Sequence, residues 1–260
     1  MSKKIAFALV AHPDDIEFMM AGTLILLSQA GYELHYMNLA NGSAGSVTMD
    51  AKETARVRTI EAREAAKVLG ATYHEPLTDD LTIFYTPELC ASLGAVVREI
   101  DPTIVLVPSS NDYMEDHMIT ARLGVTATFT RNIANYPTDP PTEAVFTESV
   151  LYHAQPAGLR DPVTRQIVNP DVFVDITSVM EQKTQALSCH RSQKAWLDKT
   201  QGMDSYIKTM DELATEMGQL SGRYEFAEGW RRRLHLGFSG NPDFDPLTEA
   251  LKPHVLERKI

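Results

Sequence analysis

The sequence predicts an α/β fold, a mostly parallel sheet flanked by helices. Short apolar runs alternate with longer helical patterns through the first half of the chain, which is the signature of βαβ units. The run Ile5–Val10 is apolar throughout, and Thr103–Val107 is apolar after its first residue, as strands buried on both faces are. At 260 residues the chain suits one large α/β domain.

Taken in order, strands are expected at Ile5–Val10, Glu33–Leu39, Ala71–Glu75 and Thr103–Val107. Helices are expected at Ile16–Gly31, Asp50–Leu69, Pro87–Ile100 and Asp116–Asn135. Gly31 and Gly70 stand where helices stop. Asn41-Gly42-Ser43-Ala44-Gly45 follows the second strand as a turn lining a pocket; it lacks the spacing of a dinucleotide fingerprint and a P-loop lysine. Pro137–Pro141 marks a break. Beyond it come two more strands, Ser149–His153 and Val172–Asp175, then helical patterns at Ser178–Ser188 and Ser205–Leu220. The expectation is a single domain over 1–260, with a core over about 1–175 and a C-terminal helical extension over about 176–260.

Bulk properties narrow the function. A formal charge of −11 argues against a nucleic-acid surface. Arg231-Arg232-Arg233, the densest basic cluster, reads as a solvated helix face. No stretch approaches a membrane span, and Ile5–Ala11 is too short for a signal peptide and runs into His-Pro-Asp-Asp, so the expected location is the cytoplasm. Cys90 and Cys189 sit in helical patterns and read as small buried hydrophobes. Trp196 and Trp230 read as buried residues rather than sugar-stacking ones.

His12-Pro13-Asp14-Asp15 directly follows the first strand. Pro13 turns the chain, and acidic residues suit the helix start that follows. His12 and Asp15 can converge above the strand end, where open α/β sheets bind ligands. The fourth strand ends likewise in a polar turn closing with Asp116-His117. Helix capping explains either cluster alone, but it does not need a histidine at both strand ends. His12, Asp15 and His117 make a two-imidazole, one-carboxylate set for zinc, with a fourth position left for water. Another divalent ion such as Fe2+ suits the same donors. Asp14, beside a ligand yet pointing elsewhere, is the candidate general base for amide or ester hydrolysis.

At these residues the chain resembles the PIG-L/LmbE-like family of zinc-dependent sugar N-deacetylases. Ala11-His12-Pro13-Asp14-Asp15-Ile16-Glu17 matches its first signature, and Asp116-His117, Arg58-Thr59-Ile60-Glu61-Ala62 and His190-Arg191-Ser192-Gln193 follow in the family's order. The resemblance implies a Rossmann-like fold and zinc held by His12, Asp15 and His117, with Asp14 as base. It implies removal of acetyl from an N-acetylglucosamine-type group on a small-molecule amino-sugar conjugate. It suggests Arg58 as a substrate contact, Glu17 as a residue behind the site, and a homo-oligomer, since the family often assembles. In one respect the chain departs: many members carry His-x-Asp-His, whereas here Met114-Glu115-Asp116-His117 puts methionine in the place of an oxyanion-stabilising histidine. Tyr113, His153 and His190 are the candidates to replace it, His153 and His190 also as substrate contacts, with Asp116 beside the metal site. The other outcomes are a slower enzyme and a catalytically impaired metal- and carbohydrate-binding protein of the same fold.

Overall fold

The computed structural model describes residues 4–200 and 206–258. Strand β1 (Ile5–Val10) leads into two short helices, α1 (Asp15–Met19) and α2 (Ala21–Gln29). β2 (Glu33–Asn38), α3 (Ala51–Leu69), β3 (Thr72–His74), α4 (Pro87–Ile100), β4 (Ile104–Val107), α5 (Glu115–Thr130) and β5 (Val150–Ala154) follow. The remainder is β6 (Val172–Asp175), α6 (Met180–Leu187), α7 (Arg191–Thr200), α8 (Tyr206–Ser221), β7 (Ala227–Arg232), α9 (Pro246–Ala250) and β8 (Val255–Glu257).

These strands form one eight-stranded mixed sheet in the order β3-β2-β1-β4-β5-β7-β6-β8. The first five in that order are parallel. β7 is antiparallel to β5 and β6, and β8 is antiparallel to β6. β1 shows why its sequence is apolar throughout. Ala6, Ala8 and Val10 face one core with α2 and Leu34, while Phe7, Leu9 and Ala11 face a second core with Leu93 and Ala127. Local chemistry sets the helix ends. Asp50 accepts a hydrogen bond from the Glu53 amide at 2.9 Å to start α3, and Gly70, at φ 71°, stops it.

Chain direction reverses across β1. From β1 the chain winds outward through β2 and β3, then returns to β4 on the other side. The carboxyl ends of β1 and β4 therefore flank the switch point, the crevice where such sheets bind ligands. α5 closes onto this pair. A methyl group on Gly124 would lie 2.8 Å from Val107 Cγ1, so only glycine permits that approach.

Two expectations for the fold need correction. The single helix expected over Ile16–Gly31 is broken at Met20. The Glu228 carboxylate accepts from the Gly22 and Thr23 amides at 2.9 and 2.7 Å, starting α2 afresh with an acid from a distant strand. Lys183, itself fully buried, pairs with Glu228 at 2.5 Å. The C-terminal region is also not merely helical, since β7 inserts between β5 and β6 and β8 closes the edge. Arg231 and Arg232 accordingly lie on a strand and not on a helix.

Trp230 is fully buried and donates to Thr23 Oγ1 at 2.9 Å. The side chain of Trp196 lies outside the described residues. Cys90 and Cys189 are buried and free. Among the described residues no helix is long and apolar enough to cross a membrane.

Candidate metal centre

The turn after β1 is pinned from three directions. Asn38 on β2 donates to the His12 carbonyl at 2.8 Å, Arg58 on α3 donates to the Pro13 carbonyl at 2.8 Å, and the His12 amide donates to Asp15 Oδ2 at 2.8 Å. These bonds hold Asp14 at φ 100°, a left-handed conformation unusual for aspartate. Such a residue costs on the order of 1–3 kcal/mol and persists only where its surroundings fix it.

His12, Asp15 and His117 each offer a ligand atom, and these atoms lie within 4.8 Å of one another. Both imidazoles are oriented from behind by a carboxylate. His12 Nε2 lies 2.9 Å from Asp116 Oδ2, and His117 Nδ1 lies 2.9 Å from Asp112 Oδ1. A carboxylate accepts only, so each of these nitrogens carries the proton and donates it. That leaves His12 Nδ1 and His117 Nε2 toward Asp15, at 3.6 and 3.4 Å from its oxygens. Carboxylate-held imidazoles of this kind are the usual support of metal-binding histidines. Asp116 also accepts from the Leu81 amide and Asp112 from the Ala157 amide, so both acids are anchored to other segments.

The electrostatics favour a cation. Burial works against a charged His12, but its bonds to Asp116 and Asp15 outweigh this and raise its pKa from 6.5 to about 9. Burial likewise opposes charge on His117, yet the Asp15 charge and the Asp112 bond raise it well above its ordinary value. Burial opposes ionisation of Asp15, but His117 and His12 hold it well below the usual carboxylate range. Two imidazoles and the Asp15 carboxylate, with Asp112 and Asp116 behind the rings, are a donor set that a divalent ion fits, with nitrogen and oxygen ligands suited to zinc.

A cavity of about 610 Å³ opens over this cluster, lined by His12, Asp14, Asp15, Arg58, Tyr113 and His117 among others. Burial pushes the Asp14 carboxyl up to about 6, while Arg58, His190 and the Tyr206 hydroxyl pull the other way. Tyr206 donates a short hydrogen bond to Asp14 from the start of α8. Arg58 donates to the Gly42 carbonyl and to Asp80, and Asp80 in turn accepts from the Gly42 and Ala44 amides. Gly42, at φ 80°, would place a methyl group 2.8 Å from Arg58, so the glycine turn and the arginine are built for each other.

The sequence-predicted residues separate here. His12, Asp14, Asp15, Arg58, Tyr113 and His117 share the cavity, together with Met114. Tyr113 is 65% exposed at its mouth, edge-on to His117. Asp116 stands behind His12. Glu17 and His190 pair with each other at 3.1 Å, both fully enclosed, behind Asp14. The structure does not bring His153 here. Its Nδ1 binds the Pro108 carbonyl, and it lines a separate cavity. Asp112, Tyr206 and Asp80 escaped the sequence reading. Asp112 had a signal, an acid five residues before His117; Tyr206 and Asp80 had none, being joined to the site only through the fold.

Comparison with known proteins places the chain in a family. The PIG-L family profile, described as GlcNAc-PI de-N-acetylase, matches residues 7–128. A diacetylchitobiose deacetylase from Thermococcus kodakarensis is 31% identical over 232 residues, covering 85% of this chain and 79% of that protein. The chain belongs to the PIG-L family. A 4-oxalmesaconate hydratase from Pseudomonas putida is 28% identical over 200 residues, covering 74% of this chain and 75% of that protein. The fold matches the N,N'-diacetylchitobiose deacetylase from Pyrococcus horikoshii with a TM-score of 0.74 at 24% identity, covering 93% of this chain and 88% of that one. It also matches the conserved protein TT1542 from Thermus thermophilus with a TM-score of 0.72 at 22% identity, covering 94% and 97%. This PIG-L member thus carries its family's first motif at the β1 end and its candidate third ligand, His117, at the start of α5.

Proposed function

We propose that the chain is a zinc-dependent N-deacetylase that removes acetyl from an N-acetylglucosamine-type sugar or its conjugate. The observation that carries this reading is the convergence of His12, Asp15 and His117 beside Asp14 in one cavity. His12, Asp15 and His117 would hold the ion. When bound, a divalent ion lowers the pKa of water from about 15.7 to about 7 and polarises the amide carbonyl.

Asp14 takes a proton from the attacking water on its carboxylate and returns it to the departing amine nitrogen, so the amide bond breaks to acetate and free amine. Its raised pKa, about 6, suits a group that must both accept and give a proton near neutrality. Tyr206 and the strained turn aim the carboxylate. Tyr113, at the mouth, is the chain's remaining hydroxyl candidate for the oxyanion contact that Met114 does not supply.

The hydratase relative makes addition of water to an unsaturated acid the competing reaction. Among the described residues lining the cavity, Arg58 is the only arginine or lysine, and its guanidinium is already bound to Asp80 and two carbonyls. A polycarboxylate would find only the buried Nε of Arg58 uncommitted there, which favours the neutral amide.

Acetate release tests the proposal. Zinc-loaded protein is expected to yield acetate and amine in equal amounts from N-acetylglucosamine or diacetylchitobiose, and His117→Ala is expected to yield neither. No acetate from a panel of N-acetylglucosamine conjugates, with metal bound, would overturn it.

A further inference from the structure

A second cavity, of about 290 Å³, takes Ser110 from the turn whose Pro108 lines the first. It is lined by Tyr85, Ser110, Arg122, Thr126, His153 and Arg233, with Ala121 and Val125 at its base. None of these residues is acidic, in a chain of net charge −11. Arginine ion pairs among the described residues involve Arg56, Arg58, Arg63, Arg160, Arg191 and Arg232. Arg122 and Arg233, which reach this cavity, are not among them.

Strand geometry gathers the charge. Arg231 pairs with His153 across β7 and β5, and Arg233 follows two residues later on the same side. Arg232 points the opposite way and finds Asp245 at 3.3 Å. Arg231 is held by Ser109 Oγ and the Ala154 carbonyl, yet its buried Nε has no partner. His153 is 93% buried by its 7% exposure, and its Nδ1 proton goes to the Pro108 carbonyl. Its Nε2 lone pair is then left to accept from Arg233 at 3.4 Å, which holds that guanidinium over the cavity. Burial and the neighbouring Arg231 and Arg233 push His153 down to about 4, so it stays neutral and keeps this acceptor role.

We propose that this cavity binds a small oxyanion, a carboxylate or a phosphate group, between Arg122 and Arg233. Guanidinium forks match the paired oxygens of both groups. A space of about 290 Å³ exceeds the ~30 Å³ share of one water roughly tenfold, so it admits an anion together with part of the molecule bearing it. Ser110 Oγ supplies a neutral donor at its rim, where the Tyr85 and Thr126 hydroxyls bond each other at 2.7 Å.

Calorimetric titration of metal-loaded protein with inorganic phosphate and, separately, with acetate, at an ionic strength fixed by chloride, tests this. Beyond binding at the metal itself, one further saturable site is expected for at least one of them, and the tighter arm at that site names the source. Arg233→Gln and Arg122→Gln are each expected to weaken it about tenfold, the worth of one charged hydrogen bond. Arg233→Lys is expected to restore part of the loss, and acetate release by the variants to keep its wild-type kcat. Absence of that further site in both arms would overturn the proposal. So would equal affinity in the wild type and the arginine variants, which would put the anion elsewhere. So would self-association of the chain that the arginine variants abolish while no anion binds, since a second copy would then fill the cavity.

Discussion

Two neighbouring regions at the strand ends use buried histidines in opposite ways. Beyond β1 and β4, His12 and His117 stand among Asp15, Asp112 and Asp116, and their affinity for protons rises. At the end of β5, His153 stands among Arg231 and Arg233, and its pKa falls to about 4. All three are more than nine-tenths buried. Burial alone pushes every one of them toward neutrality, so the difference comes from the charges packed around the ring. The acid-lined end is built to receive a cation, and the arginine-lined end repels one. Position at a strand's carboxyl end marks a residue as a candidate; its neighbours decide what it does.

Changes at the acid-lined end should act on chemistry. Asp14→Asn removes the proton acceptor and is expected to lower kcat about 10²–10⁴-fold, with bound metal retained. Steady-state kinetics beside metal analysis checks both halves. A variant that loses its metal would show Asp14 to be a ligand and would erase the distinction drawn between Asp14 and Asp15. Next in size, Asp112→Asn and Asp116→Asn should each weaken metal binding by about 10–100-fold, because each frees an imidazole to turn. Competition with a chelator measures this. Unchanged affinity in both variants would mean that the carboxylates do not set the character of this end.

Much of the acid-lined end was legible in the sequence. Buried parallel strands read as continuous apolar runs, so β1 and β4 stood out, and the polar turns that followed them held the ligands. The expected helix at Pro87–Ile100 is α4 as the structure has it, with Thr86 as its cap and Pro87 in its first turn. The arginine-lined end was not legible. β7 reads Ala-Glu-Gly-Trp-Arg-Arg, with neither alternation nor an apolar run, and becomes a strand because β5 and β6 pair with it from both sides. Glu228 on that strand belongs to Lys183 and to the start of α2, over two hundred residues away in the chain. For the same reason His153, correctly placed at a strand end, was assigned to the wrong cavity: its partners are arginines that the sequence reading had put on a helix.

The smallest expected effect lies at the arginine-lined end and concerns stability. With a pKa of about 4 in the fold against an ordinary 6.5, His153 is neutral in the folded chain while the unfolded chain takes up a proton. Its contribution is therefore full above pH 6.5 and is lost as pH falls toward 4. His153→Gln keeps a donor for the Pro108 carbonyl but cannot titrate. Denaturant melts between pH 7 and 4 should show the wild type losing more stability than the variant across that window. Parallel losses would mean that neither burial nor the arginines hold His153 neutral.

One ion gripped by His12, Asp15 and His117 is what the acid-lined end is built to hold. Metal content of protein purified without added metal, then loaded with zinc and dialysed, tests this most directly when wild type is compared with His12→Ala and His117→Ala. One firmly held ion per chain in the wild type and almost none in folded variants is the predicted result. An ion retained by both variants, or no ion held by the wild type, would contradict it.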